Sequence, residues 1–226
     1  MTSYATLIPL AGGFMDPVWL FDTFGPWFLA MSALIIFTEC AIFPILPGDS
    51  LLFAVGMFIA QASGIRLFGL DEVGTLVAAI LILMTAAILG NVVGYWVGKR
   101  LSPWLFKPRP GFVGQIFNEK HLFEAHAFFE RYGAKALVLG RFVPFVRTFV
   151  TMVAGAAGMT FRHFITWTAV GAVAWAAGIT LLGFFLGNVG FIKDNLEYAL
   201  LAIVVISVVP MAFEIIKERR KAAREA

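Results

Sequence analysis

Two arginines and two acids stand in the most apolar stretches of the chain. Arg141 and Arg147 lie six residues apart with Pro144 between them, in GRFVPFVRTF. Glu39 and Asp49 flank Pro44 and Pro47 in FTECAIFPILPGDSLL. Arginine stays ionised in any protein environment and presents a planar fork that matches phosphate or carboxylate. A glutamate among Ile35, Ile36, Phe37, Ala41 and Ile42 suits the exchange of protons inside a membrane cavity. These residue types point to binding an anionic group and moving protons, rather than to making or breaking bonds. Each charge in hydrocarbon costs on the order of 2.5–3.5 kcal/mol by insertion scales, so four of them must line a polar cavity or pair with one another.

Each position carries two readings. The arginines either bind a phosphate or neutralise the acids in structural ion pairs. On an unbroken helix a spacing of six turns them to different faces, and the proline break can bring both toward one pocket. Asp49 follows Pro47-Gly48 and precedes an apolar helix, so it is expected as that helix's N-cap or as part of the polar site. Glu39 has no capping role and is either a proton carrier or a partner for Arg141 or Arg147.

Other chemistries find little support. Ser50 has no His or acid at motif spacing to activate it, so a lipid-modifying enzyme is the weakest reading and the chain is expected not to be an enzyme. His121, His126 and His163 are scattered without ligand spacing, and the single cysteine, Cys40, reads as a small buried hydrophobe. No metal and no cofactor are expected. The net charge of +3 does not argue for nucleic acid, because the basic residues cluster where a membrane protein meets the cytoplasm.

The elements that must position these groups are membrane helices. The 226 residues are 60% hydrophobic and 14% charged, against roughly 45–50% and about 25% in soluble domains. Mean hydropathy is +0.88. Residues 1–25 read as an interfacial lead-in without the basic start or cleavage site of a signal peptide, with Trp19, Phe21, Phe24 and Trp27 suited to the aromatic belt. Apolar runs follow at 26–43, 51–62, 76–97, 136–159, 164–186 and 198–216. Residues 118–132 (NEKHLFEAHAFFERY) form an amphipathic pattern suited to a membrane surface. Gly90, Gly94 and Gly98, with Gly155 and Gly158, are spaced for close helix packing. Asn91 and Tyr95 either reach a polar cavity or bond a neighbouring backbone.

Charge counting sets a topology. The basic stretch 99–135 and the KERRKAAR tail both belong in the cytoplasm. Three apolar runs lie between them, an odd number, so 136–159 is expected to enter and return as a re-entrant hairpin. The segment 26–62 has the same layout, and its second arm of about 12 residues is short for a span. Read as a hairpin from the opposite side, it makes an inverted repeat whose broken elements meet near the midplane. The alternative for 26–62 is two ordinary crossings joined by a tight Pro-Gly turn.

The PGDSLL segment with its upstream glutamate, GNVVGYWVGK, and GAKALVLGRFVPFVRTFVTMVAGAAGM resemble the bacterial DedA family, whose eukaryotic relatives carry the VTT domain. The resemblance covers roughly residues 26–190. It implies two re-entrant hairpins facing each other, and it implies that Glu39, Asp49, Arg141 and Arg147 match the family's required acids and arginines. Bacterial members are linked to recycling undecaprenyl phosphate with dependence on the proton motive force, and eukaryotic relatives scramble phospholipids.

The expectation is therefore an all-α polytopic membrane protein. It has an interfacial segment 1–25, a core 26–190 with hairpins at 26–62 and 136–159, and a last helix with a basic tail at 191–226. It is expected to move a lipid phosphate, with a polyprenyl phosphate favoured, across the cytoplasmic membrane under proton coupling. Arg141, Arg147 and Asp49 would bind substrate, and Glu39 and Asp49 would carry protons. Its partners would be the lipid substrate and surrounding lipids, with a homodimer left open. A phospholipid scramblase, a proton- or cation-coupled exporter of small solutes and a non-transporting scaffold are the competing readings.

Overall fold

The computed structural model describes residues 16–43, 46–61, 64–67, 69–105, 137–138, 140–142 and 146–187. Among these every regular element is a helix. They are α1 (Pro17–Phe24), α2 (Phe28–Ala41), α3 (Gly48–Ala60), α4 (Glu72–Leu105), α5 (Val146–Ala156) and α6 (Phe161–Gly187). Single 3-10 turns occupy Gly25–Trp27 and Gly140–Phe142. The amphipathic pattern at 118–132, Pro144, the run at 198–216 and the basic tail lie outside the described residues.

Local chemistry explains the ends. Asp16 caps α1 by accepting from the Val18 N–H at 2.9 Å, with Pro17 at the first helical position. Asp71 accepts from the Gly74 N–H at 2.9 Å and so caps α4. Arg66 donates to the carbonyls of Ile59 (2.7 Å) and Ile65 (2.8 Å), supplying a cation to the C-terminal end of α3. The spanning helix expected at 76–97 is longer, Glu72–Leu105, and runs through Lys99-Arg100. Lysine and arginine are good helix formers, so they end the apolar stretch without ending the helix. Among the described residues, three helical stretches are long and apolar enough to cross a bilayer: Pro17–Ala41, Glu72–Ser102 and Phe161–Gly187.

The core sits around α3. Every residue of α3 except Asp49 is buried, as expected of a helix that is hydrophobic all round. It packs chiefly on α6, and on another side its Phe58 ring meets Phe21 of α1 and Phe28 of α2. The α3–α6 contact is a backbone approach. A Cβ on Gly56 would strike the Thr180 carbonyl, one on Gly183 the Phe53 carbonyl, and one on Gly187 the Met57 side chain and backbone. The order of these pairs makes α3 and α6 run in the same direction.

On α4 the three glycines act as the sequence suggests. Gly90 abuts Phe37 and Cys40, Gly94 abuts Ala41 and Thr151, and Gly98 abuts Met152. Helices α2 and α5 therefore lie one after the other along a single face of α4, both running in its direction, and the end of α2 meets the start of α5 beside Gly94. Gly155 packs on the Tyr95 carbonyl. Gly158, expected to pack likewise, instead takes φ +71° in the turn that closes α5, where the Met159 N–H bonds the Ala154 carbonyl at 3.1 Å.

Gly178 on α6 has nothing within 4 Å of an added Cβ, whereas Gly183 has the Phe53 backbone there. Gly178→Ala is expected to leave stability unchanged or raise it by up to about 1 kcal/mol through helix propensity. Gly183→Ala is expected to lower it by about 1–3 kcal/mol, because two backbones must move apart. Thermal unfolding of both variants in detergent checks the opposite signs.

Candidate functional site

The junction of α2 and α5 brings three of the four intramembrane charges into direct contact. Arg147, in the first turn of α5, donates from Nη1 to Asp49 Oδ1 at 2.6 Å and from Nη2 to Glu39 Oε1. One guanidinium thus holds an acid from the end of α2 and an acid from the start of α3, across a sequence separation of about a hundred residues. Thr148 beside it donates to the Glu39 backbone carbonyl at 3.0 Å, which ties the last turn of α2 to the first turn of α5. A Cβ on Gly48 would collide with the Glu39 carboxylate, so glycine there makes the room that the acid occupies.

Of the two roles open to Asp49, capping does not hold and membership of the polar cluster does. Helix α3 starts at Gly48, Pro47 takes the capping position, and no side chain caps the end. Asp49 sits inside the first turn. There its charge is well placed for the helix dipole, but its Oδ1 accepts from Arg147 and from the Trp175 indole N–H at 2.8 Å. Charge-assisted and indole donors have taken the oxygen that a backbone N–H would otherwise use.

Arg141 reaches the same site from the 3-10 turn but pairs differently. Among the described residues, neither acid lies within ion-pair distance of it. Its Nη2 faces the Cys40 sulfur at 3.8 Å and its Nε has no partner. Of the two arginines open to pairing with the acids, Arg147 holds both acids and Arg141 holds none of them. Both guanidiniums stand over the Trp175 ring, Arg147 at 4.7 Å and Arg141 at 5.8 Å from its centroid. Trp175 and Thr148 are members of the site that the sequence reading passed over, and Cys40, read as a small buried hydrophobe, lies in it as well. A tryptophan in the middle of AVGAVAWAAG, far from either end of α6, is the signal that was there to be read.

The cluster is closed. Glu39 is fully buried, Arg141 is 2% exposed and Arg147 5%. The Asp49 side chain, at 16%, is the most open of the four charges. Glu39 Oε2 is buried without a hydrogen-bond partner. Asn91 and Tyr95 do not join the cluster through hydrogen bonds: Asn91 donates to the Ala87 carbonyl at 2.6 Å and Tyr95 to the Met159 carbonyl at 2.5 Å.

Residues 46–185 match the model of the VTT domain. The chain belongs to the DedA family of VTT-domain membrane proteins. It is 37% identical over 205 residues to Protein DedA of Escherichia coli (strain K12), covering 90% of this chain and 89% of the relative. An uncharacterised membrane protein of Mycobacterium tuberculosis is 37% identical over 229 residues, with 98% and 95% coverage. The inner membrane protein YghB of Salmonella typhimurium is 31% identical over 177 residues, with 76% and 74% coverage. No solved structure matches the chain. The VTT match takes in Asp49, Arg141, Arg147 and Trp175 and begins after Glu39, so in this DedA-family chain the α2 acid is supplied from outside the matched region.

Removing Arg147 strands two carboxylates in an apolar junction. Arg147→Ala is expected to destabilise the protein by about 3–5 kcal/mol, the range for breaking a buried pair from one side. Adding Glu39→Gln to Arg147→Ala should recover part of that loss, because it removes one stranded charge. Denaturation in detergent of the single and double variants measures both steps.

Proposed function

We propose that the protein is a lipid-phosphate transporter of the cytoplasmic membrane, with a polyprenyl monophosphate such as undecaprenyl phosphate as the favoured substrate. The observation that carries this reading is the shared guanidinium of Arg147, held by two acids, beside an Arg141 with no acid of its own among the described residues. A phosphate monoester offers what the two carboxylates supply now: acceptor oxygens at fork spacing and negative charge. The headgroup would take the arginines while the tail stays in the bilayer. The residues serve binding and movement, with no chemistry performed on the lipid.

Proton coupling follows from the same contacts. The bare Oε2 of Glu39 is the oxygen available to a proton. Protonation of Glu39 removes one of the charges that hold Arg147 and frees its fork for phosphate, and release of the proton returns the arginine to the acid. The segments 26–62 and 136–159 act in this reading as oppositely facing re-entrant hairpins, with the basic stretch 99–135 and the C-terminus in the cytoplasm. The end-to-end placement of α2 and α5 along α4 supports it, as does the shortness of α3 and α5. Thirteen and eleven residues span about 20 and 16 Å, well under a hydrocarbon core of about 30 Å.

In vesicles of the reconstituted full chain, Arg147→Lys is expected to lower polyprenyl-phosphate movement about tenfold or more, although the charge is kept, because an ammonium cannot replace the fork. Movement at the wild-type rate would remove the bidentate role. Glu39→Gln is expected to move lipid without responding to an imposed pH gradient, whereas the wild type runs faster when protons flow inward. An unchanged gradient response takes Glu39 out of the coupling. Movement that ignores the gradient in the wild type itself would make the protein a scramblase.

A further inference from the structure

Trp175 touches every charged group at the heart of the cluster except Glu39. Its Nε1–H donates to Asp49 Oδ1 at 2.8 Å, the same oxygen that accepts from Arg147 Nη1 at 2.6 Å. Its ring face lies under the guanidiniums of Arg147 and Arg141. It is 2% exposed, on a stretch of α6 where alanine and glycine dominate the sequence. A phenylalanine or leucine would fill much of the same volume without the N–H. An indole in this place therefore has a polar role, as a second donor to an acid that already has a cation.

We propose that Trp175 is a positioning residue that sets how readily Arg147 leaves Asp49 for the headgroup of a lipid phosphate. This rests on the lipid-phosphate reading above. When Arg147 turns to a phosphate, Asp49 loses its cation inside an apolar junction, where an uncompensated carboxylate is costly. The indole N–H stays on Oδ1 and keeps that carboxylate hydrogen-bonded. The ring face meanwhile gives both guanidiniums a flat seat that does not compete for their N–H donors. Trp175 thereby weakens Asp49 as a competitor for the arginine without weakening the arginine as a ligand. Without the N–H, Asp49 holds Arg147 more tightly and the anion binds less well.

The test is binding of farnesyl phosphate, a short polyprenyl monophosphate, to the purified full chain in detergent. Trp175→Phe, which keeps a ring and drops the N–H, is expected to weaken binding about tenfold, the worth of one hydrogen bond to a charged group. In an Asp49→Asn background the same change is expected to alter binding by less than about twofold, because the competitor it controlled is gone. A purely structural tryptophan would give the same loss in both backgrounds, and that result would overturn the proposal. So would full affinity in Trp175→Phe. If Asp49→Asn does not yield folded protein, benzothienylalanine at position 175 makes the comparison, since it keeps the indole shape and lacks only the N–H. A loss matching Trp175→Phe supports the proposal, and wild-type affinity overturns it. Failure of the wild type to bind farnesyl phosphate overturns the lipid-phosphate reading and this proposal together. Binding by the wild type with no effect of the missing N–H overturns this proposal alone.

Discussion

One arginine inside an apolar junction holds two acids that come from different helices, and the rest of the described structure is arranged so that it can. Arg147 stands at the start of α5, Glu39 near the end of α2 and Asp49 in the first turn of α3. Leaving any of these charges without its partner in an apolar junction costs several kcal/mol. The three helix ends must therefore stay together, and the ion pairs act as a lock as much as a site. Helix polarity acts in both directions: Asp49 suits the N-terminal end of its own helix, whereas Arg147 at the start of α5 and Glu39 near the end of α2 stand against their own helix dipoles and depend on each other for compensation.

What brings these ends within reach is the removal of side chains. Gly90, Gly94 and Gly98 let α2 and α5 press on one face of α4, and Gly56, Gly183 and Gly187 let α3 press on α6. In hydrocarbon the hydrophobic effect does not drive helices together, so close backbone packing must do so. Gly48 makes the final allowance by leaving space for the Glu39 carboxylate. The polar junction is thus held by close packing beside it, at Gly90 and Gly94, and farther along both helix pairs, at Gly98, Gly56, Gly183 and Gly187.

Much of the arrangement was legible in the sequence, and the reasons are physical. Four charges beside prolines in apolar runs are costly enough to be conspicuous, and the small-residue period on α4 is a strong pattern. The length of α4 was underestimated because Lys99 and Arg100 end hydropathy, not helicity. Asp49 read equally as a cap of α3 or as part of the polar site, because local rules describe a helix end in isolation and cannot include donors from Arg147 and Trp175, 98 and 126 residues away. Which acid pairs with which arginine was illegible for the same reason: pairing is set by how α2, α3 and α5 converge. Trp175 escaped notice because a tryptophan in an apolar helix looks like packing until its N–H is seen to have a partner.

In the proposed transporter the two acids hold Arg147 in place of a lipid phosphate. Native mass spectrometry of the full chain, purified in mild detergent with its co-purifying lipids identified, tests it most directly. The expected result is a bound polyprenyl monophosphate whose occupancy rises when Glu39 is replaced by glutamine, because one competitor for the arginine is gone. Adducts of zwitterionic phospholipid alone, with no phosphate monoester in either protein, would contradict it.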